Sequence, residues 1–390
     1  MKILLATSYD YPHLGGLSTH MTTLKTGLEK LGHTVETLSF SDVEKWRRDW
    51  IARAPSFVLN KMSLGAGYVW TLNRRQQFLE AMLKDEKYKS FDIVNGQDVF
   101  ATRASLNAGL PTVTTAHGYL TYEGISKGSV AENSKHANKL LDVEFSMFKK
   151  TRAVITVDTR IKEYIKRETG IDASMIKNFI DVEDFKPEVE RREEFRKKYN
   201  IAQDDLIFFI PRRLTKKNGV IYPILSFPPV LKKCPNARLV FAGTGEMMDE
   251  MKAKAKELGI EERVTMLGAV EHKDMIQYYA LSNIALVPSI YSAGVEEATS
   301  ISALEAMGSG IPLIACAVGG LKEIVDHEKD GLLVAERSVE ELSDAMIRLL
   351  DHPDYGQQLA KAAREKIIAE YSHFAAAQKY EAIYKKALSK

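Results

Sequence analysis

Two glutamates, Glu297 and Glu305, flank seven intervening residues in VPSIYSAGVEEATSISALEAMGSGIP. Paired carboxylates at such a spacing can accept hydrogen bonds from the hydroxyls of a polyol. Ala298, Thr299 and Ser300 read as the start of a helix, which puts Glu297 at its mouth and Glu305 two turns in. Eight residues at about 1.5 Å each cover about 12 Å, the reach from the sugar ring to the ribose of a nucleotide sugar bent over a helix start. Two surface glutamates of one helix would show the same spacing. In FFIPRRLTKKNGV, Arg212, Arg213, Lys216 and Lys217 crowd the end of an apolar run, where their charge suits a phosphate or diphosphate. His117 followed by Gly118 closes another apolar run and can donate a hydrogen bond to a ligand hydroxyl or move a proton. Gly15 and Gly16 follow the first apolar run, where bare backbone amides at a helix start near Ser18 can approach an anion. A simple tight turn would also use such a pair.

These residues need a scaffold that brings strand ends together. Short, nearly continuous apolar runs at Ile3–Thr7, Thr34–Phe40, Ile93–Asn95, Pro111–Thr115 and Ala153–Val157 alternate with amphipathic stretches. A second series runs through Leu206–Ile210, Arg238–Ala242, Val264–Leu267, Ile284–Pro288 and Pro312–Cys316. Buried parallel strands read this way. Two such series predict two doubly wound α/β domains, whose ligands bind beyond the carboxyl ends of the strands. All four candidate groups stand at such ends. The join is placed in the charged, Pro187-containing segment Asn178–Phe195, giving domains 1–180 and 181–373. A last amphipathic helix near Phe374–Leu388 follows, and the pattern leaves its docking open, with the first domain as one host.

Composition narrows the function. The 390 residues carry 54 Lys and Arg against 52 Asp and Glu, far from the balance of a general nucleic-acid binder. No apolar run approaches the roughly 20 residues that span a bilayer. The opening MKILLATSYDY lacks the long apolar region of a signal peptide, so the expected location is the cytoplasm. Cys234 and Cys316, the two cysteines, form no CxxC, and no metal or disulfide site is expected. No GxGxxG follows either opening strand, which disfavours a dehydrogenase.

Taken together, Gly15-Gly16, His117-Gly118, Arg213 through Lys217 before Gly219, and the paired glutamates ending in LEAMGSGIP resemble the retaining glycosyltransferases of family 4, with the GT-B fold. FAGTGE, the VGG of Val318–Gly320 and GLLV at Gly331 are similar to that family's second domain. The resemblance implies two Rossmann-like domains facing across a cleft, the first for the acceptor and the second for the nucleotide sugar, with closure hinged at Asn178–Phe195. It implies that Glu305 binds the ribose and Glu297 the donor sugar. Arg213 and Lys217 would neutralise the diphosphate, Gly16 would offer it backbone amides, and His117 would contact the sugar at its 6-hydroxyl. A UDP-sugar is the expected donor, GDP and ADP the alternatives, and no cofactor or metal ion is expected. Three departures stand out. ATSIS follows Glu297 where relatives have GFG. The lysine of RRLTKKNG is one position nearer Arg213 than in the commoner spacing, which makes Arg212 the alternative to Arg213. Glu296 directly precedes Glu297.

The acceptor has no signature; a glycan, a lipid-linked sugar or a small molecule all fit. The stretch Val43–Gln76 holds all three tryptophans, Trp46, Trp50 and Trp70, and seven basic residues against two acidic ones. That mixture suits peripheral attachment at the inner face of an anionic membrane, an acidic acceptor, or a helix with core aromatics and solvated charges. Rival functions on the same scaffold are a sugar phosphorylase, a nucleotide-sugar epimerase and a non-catalytic nucleotide-sugar-binding protein. Oligomeric state has no signature in the sequence.

Overall fold

The computed structural model describes residues 1–13, 15–292 and 299–389. The chain forms two compact units, one of Met1–Asn178 with His373–Lys390, the other of Phe179–Ser372.

In the first unit, six parallel strands lie in the order β2-β1-β3-β4-β5-β6: β1 Lys2–Ala6, β2 Thr34–Leu38, β3 Ile93–Gly96, β4 Thr112–Ala116, β5 Val154–Thr156 and β6 Ser174–Met175. The chain leaves β1 for β2 on one side and returns as β3 on the other, so the order reverses between β1 and β3. In the second unit the order is β12-β11-β10-β7-β8-β9: β7 Leu206–Ile210, β8 Ala237–Phe241, β9 Val264–Met266, β10 Ile284–Val287, β11 Leu313–Cys316 and β12 Leu332–Val334. Here the reversal lies between β7 and β10. Crevices at the carboxyl ends of such pairs are where doubly wound sheets bind ligands. Central strands are apolar and covered on both faces, as in Phe208, Phe209, Leu286 and Val287, each fully buried.

The structure differs from the sequence-based expectation at four points. The two-residue β6 and three-residue β12 were not expected as strands. The first helix begins at Gly16, not near Ser18. The segment expected as the join belongs largely to the second unit: Phe185 and Phe195 are buried in that unit's core, and a helix occupies Arg192–Lys198. The chain passes between units at 178–179, at the start of that segment and within two residues of the expected boundary, and again at 372–373, where the last helix, His373–Leu388, packs in the first unit against the helix Gly16–Lys30. Finally, Trp46 and Trp50 are not core residues; both are exposed.

Candidate functional site

In the first unit the side chains at the sheet's reversal are organised by Asp98, which sequence reasoning missed. Asp98 caps the helix Val99–Asn107 through the amides of Phe100 and Ala101, at 3.0 and 2.9 Å. Its carboxylate also accepts from the Thr7 hydroxyl (2.9 Å), the Ser8 amide (2.6 Å) and the Ser8 hydroxyl (2.8 Å), tying the end of β1 to the start of that helix. An Asp before a helical pattern is a legible cap; its reach back to β1 is not.

His117, just beyond β4, shares a 2.9 Å hydrogen bond between Nε2 and Gln97 Oε1. His20 packs edge-on against it, ring centroids 4.6 Å apart. His20 in turn shares a 3.1 Å bond with the Tyr380 hydroxyl from the last helix. Burial lowers the His117 imidazole to a pKa of about 4, so it is neutral near pH 7. Burial, and then His117 itself, hold His20 well below its ordinary range. His117, Gly118, Gln97, Tyr9, Tyr68 and Glu123 help line a cavity of about 270 Å³. Tyr9 and Tyr68 also line an adjoining space of about 500 Å³ that contains Arg75 and Asn60. Gly15 and Gly16 are exposed at the start of the helix after β1, with Gly15 at φ 156° as its N-cap. The helix's first amides are thus at the surface of the same unit.

In the second unit the loop after β7 separates the two arginines that sequence left as alternatives. Arg212 donates to the hydroxyls of Ser300 (3.1 Å), Ser302 (3.0 Å) and Ser289 (2.8 Å) and to Asn218 Oδ1 (2.8 Å). It therefore clamps the loop after β7 to the loop after β10 and to the helix Ile301–Gly308. Arg213, Lys216 and Lys217 are exposed and make no ion pair among the described residues. The loop is held from two sides. Gly219, at φ 62°, lies so close to the Pro288 carbonyl that a Cβ would be 1.8 Å from its oxygen. At Gly243, in FAGTGE, a Cβ would lie 2.2 Å from the Arg212 carbonyl oxygen. Glycine at both places is a condition of the close approach.

Glu305 is buried in the helix Ile301–Gly308. One carboxylate oxygen is 3.1 Å from His272 Nε2, and the other accepts from the Tyr279 hydroxyl at 3.0 Å. That hydroxyl also lies 3.1 Å from the Ser302 carbonyl oxygen. A continuous polar network thus runs from Arg212 through Ser302 and Tyr279 to Glu305 and His272. The carboxylate raises the His272 pKa, chiefly by their hydrogen bond. His272 and Tyr279, two turns apart on the helix His272–Leu281, were missed because only tertiary folding brings them to Glu305. The helix expected from Ala298 begins at Ile301, with Ser300 as N-cap and its hydroxyl given to Arg212. The helical estimate of about 12 Å between the glutamates therefore does not apply. Thr299 and Ser300 are buried. Glu297 and Ala298 lie outside the described residues. No group of three or more His, Cys, Asp or Glu side chains among the described residues is placed to hold a metal ion.

Comparison with known proteins matches residues 191–366 to the family of glycosyl transferases group 1 and residues 14–184 to glycosyltransferase family 4. An uncharacterized glycosyltransferase of Methanocaldococcus jannaschii is 26% identical over 402 aligned positions, covering 100% of this chain and 99% of the relative. A GDP-mannose-dependent alpha-(1-6)-phosphatidylinositol monomannoside mannosyltransferase of Mycobacterium tuberculosis is 30% identical over 194 positions, 49% of this chain and 50% of the relative. The crystal structure of HepE from Anabaena in complex with UDP-glucose superposes with a TM-score of 0.70 at 18% identity, covering 100% of both chains.

Proposed function

Since the chain belongs to the glycosyl transferases of group 1 and has their two-unit GT-B fold, we propose that it is a retaining, metal-independent transferase. It moves a hexosyl or N-acetylhexosaminyl group from a nucleotide sugar, in the first instance a UDP-sugar, to a hydroxyl acceptor. The observation that carries the reading is the division of labour after β7. Arg212 is used up inside the fold, while Arg213 and Lys217 stand exposed without internal partners at the reversal of the second sheet.

In this proposal the bond between the anomeric carbon and a diphosphate oxygen breaks, and negative charge grows on the diphosphate. Arg213 and Lys217 stabilise that charge, with the exposed amides at Gly15 and Gly16 as a second donor group. Glu305 takes the ribose hydroxyls. Its oxygens each have one internal donor, and a carboxylate oxygen has capacity for another. Glu297, with Ala298 to Ser300, takes the donor sugar. His117, neutral near pH 7, serves as a hydrogen-bond partner for the sugar's 6-hydroxyl and not as a general acid. The acceptor oxygen bonds to the face the diphosphate leaves, and its proton passes to the departing diphosphate. Asp98 is fully engaged by its four neighbours and is no candidate nucleophile. The first unit, with the spaces around His117 and Arg75, takes the acceptor. The UDP-glucose complex of HepE favours uridine, and the mannosyltransferase makes guanosine the base to compare.

Calorimetric titration with UDP, GDP and ADP in EDTA tests this. One nucleotide should bind, and Glu305→Ala should abolish or greatly weaken the binding. Binding of none of the three, or binding only after a divalent ion is restored, contradicts the proposal. Turnover that requires inorganic phosphate would assign a phosphorylase instead.

A further inference from the structure

Half of the exposed large apolar side chains among the described residues fall within one short segment. Trp46, Trp50, Phe57, Val58, Met62 and Leu64 are six of twelve, and Trp50, Phe57 and Met62 are 74%, 68% and 78% exposed. Helical backbone runs unbroken from Lys45 to Met62. The run is π-helical over Arg47–Arg53 and α-helical from Ala54, and the exposure of Trp46, Trp50, Phe57, Val58 and Met62 along it makes an apolar stripe facing away from the core. Such a stripe is costly in water and absent from an ordinary monomer surface. Basic groups frame it: Arg47 lies over the Trp46 ring and Lys61 over the Phe57 ring, at 5.3 and 4.7 Å from the centroids.

A second feature lies beside the stripe. A groove of about 770 Å³ is lined by Leu59 of the same helix and by Trp70, Arg74, Arg103, Lys135 and Lys139, with no carboxylate in its wall. None of these four cationic groups makes an ion pair among the described residues. The Arg74 guanidinium is 4.1 Å from the Trp70 ring centroid. Cations left unpaired around a groove, next to an apolar stripe, complement a surface that is apolar beneath and anionic on top.

We propose that this face of the first unit docks on an anionic lipid bilayer. The stripe from Trp46 to Leu64 enters the interface, and the groove of Arg74, Arg103, Lys135 and Lys139 receives headgroup phosphates. A second copy of the chain is a poor occupant, because self-pairing would bring the cationic grooves together. Tryptophan and phenylalanine flanked by lysine and arginine are the side chains that sit well at a headgroup boundary, and charged lipid adds about 1 kcal/mol per basic residue. No described helix is long and apolar enough to cross a membrane, so the attachment is to one leaflet. The inference rests on this surface alone and stands apart from the proposed transfer reaction.

All three tryptophans lie in this region, which makes their emission a direct probe. The full chain is mixed with vesicles of phosphatidylcholine containing phosphatidylglycerol, and separately with pure phosphatidylcholine. Expected are co-sedimentation and a blue shift with the first only, weakened by salt. The double variant Lys135→Gln/Lys139→Gln should bind about thirtyfold more weakly at equal folded content. Phe57→Ser should lose the blue shift that survives in wild type, and nucleotide binding should be unchanged in both. Absence of vesicle binding by wild type overturns the proposal. So does equal binding to neutral vesicles, concentration-dependent dimerisation that buries the stripe, or tight binding of inorganic phosphate or a nucleic acid without vesicle binding.

Discussion

Replacing each of the two adjacent arginines should separate folding from binding. Arg212→Met removes four hydrogen bonds to Ser289, Asn218, Ser300 and Ser302, all of them buried. A hydrogen bond contributes about 1 kcal/mol net, more when one partner is charged, but water entering the vacated site recovers part of the loss. The expected cost is about 3 kcal/mol. For a unit of this size each kcal/mol lowers Tm by about 2–4 °C, so its transition should fall by about 10 °C. Arg213→Met removes an exposed side chain with no internal ion pair and should shift Tm by no more than about 2 °C. Its effect should appear in nucleotide affinity, where losing one charge-assisted contact to a diphosphate costs about 1.5–3 kcal/mol, at least a tenfold weakening. Differential scanning calorimetry and nucleotide titration on both variants decide the matter. If Arg212→Met is as stable as wild type, or if Arg213→Met leaves nucleotide binding intact, the division of roles is wrong.

Three further outcomes concern titratable groups whose surroundings shift their pKa. Glu144 is fully buried, and desolvation raises its pKa to about 7 from 4.5. A raised carboxyl favours the protonated folded state, so it costs stability progressively as pH rises from 4.5 to 7, by about 3 kcal/mol in all. Glu144→Gln, whose carbonyl can still accept from the Leu120 amide, should raise Tm at pH 8 and change it little at pH 4.5. His117 and His20 are lowered, and lowered histidines make the fold less stable as pH falls from 6.5 toward 4. His117→Gln should flatten part of that acid loss in a Tm series while reducing donor turnover, and an unchanged acid slope would count against a buried neutral His117. His272 should titrate above 6.5 by proton NMR, with any stability from its pairing present below pH 6.5 and lost as pH rises through its folded midpoint. In Glu305→Gln the midpoint should drop, and an unmoved midpoint would show that the carboxylate is not its main neighbour.

The strands were legible because both units bury them on both faces, leaving continuous apolar runs such as Leu206–Ile210, which matches β7 residue for residue. β6 escaped notice because its two exposed residues, Ser174 and Met175, carry no apolar run, and β12 was passed over although it is no shorter than β5 and β9. The loops after β1, β4 and β7 were found by a rule of topology, which says where ligands bind before any side chain is placed. The roles within those loops were less visible. Nothing in RRLTKKNG tells which arginine faces inward, since Arg212 is fixed by hydroxyls up to 90 positions away. The start of the helix carrying Glu305 was misplaced because ATSIS offers several capping residues, and the choice of Ser300 goes with the tertiary contact to Arg212. Trp46 and Trp50 illustrate a further limit. Helical spacing is the same for a stripe facing the core and one facing outward, and only the fold distinguishes them.

The most direct test of glycosyl transfer is proton NMR of a UDP-sugar incubated with concentrated protein in EDTA, following the anomeric signal before mutarotation. The expected result is slow release of UDP, with the liberated sugar first appearing in the donor's own anomeric configuration, and loss of that release in Glu305→Ala. First appearance of the opposite anomer would contradict retention. Release only with added divalent metal would contradict the metal-free reading. No turnover of UDP-, GDP- or ADP-sugars at any protein concentration would contradict glycosyl transfer itself.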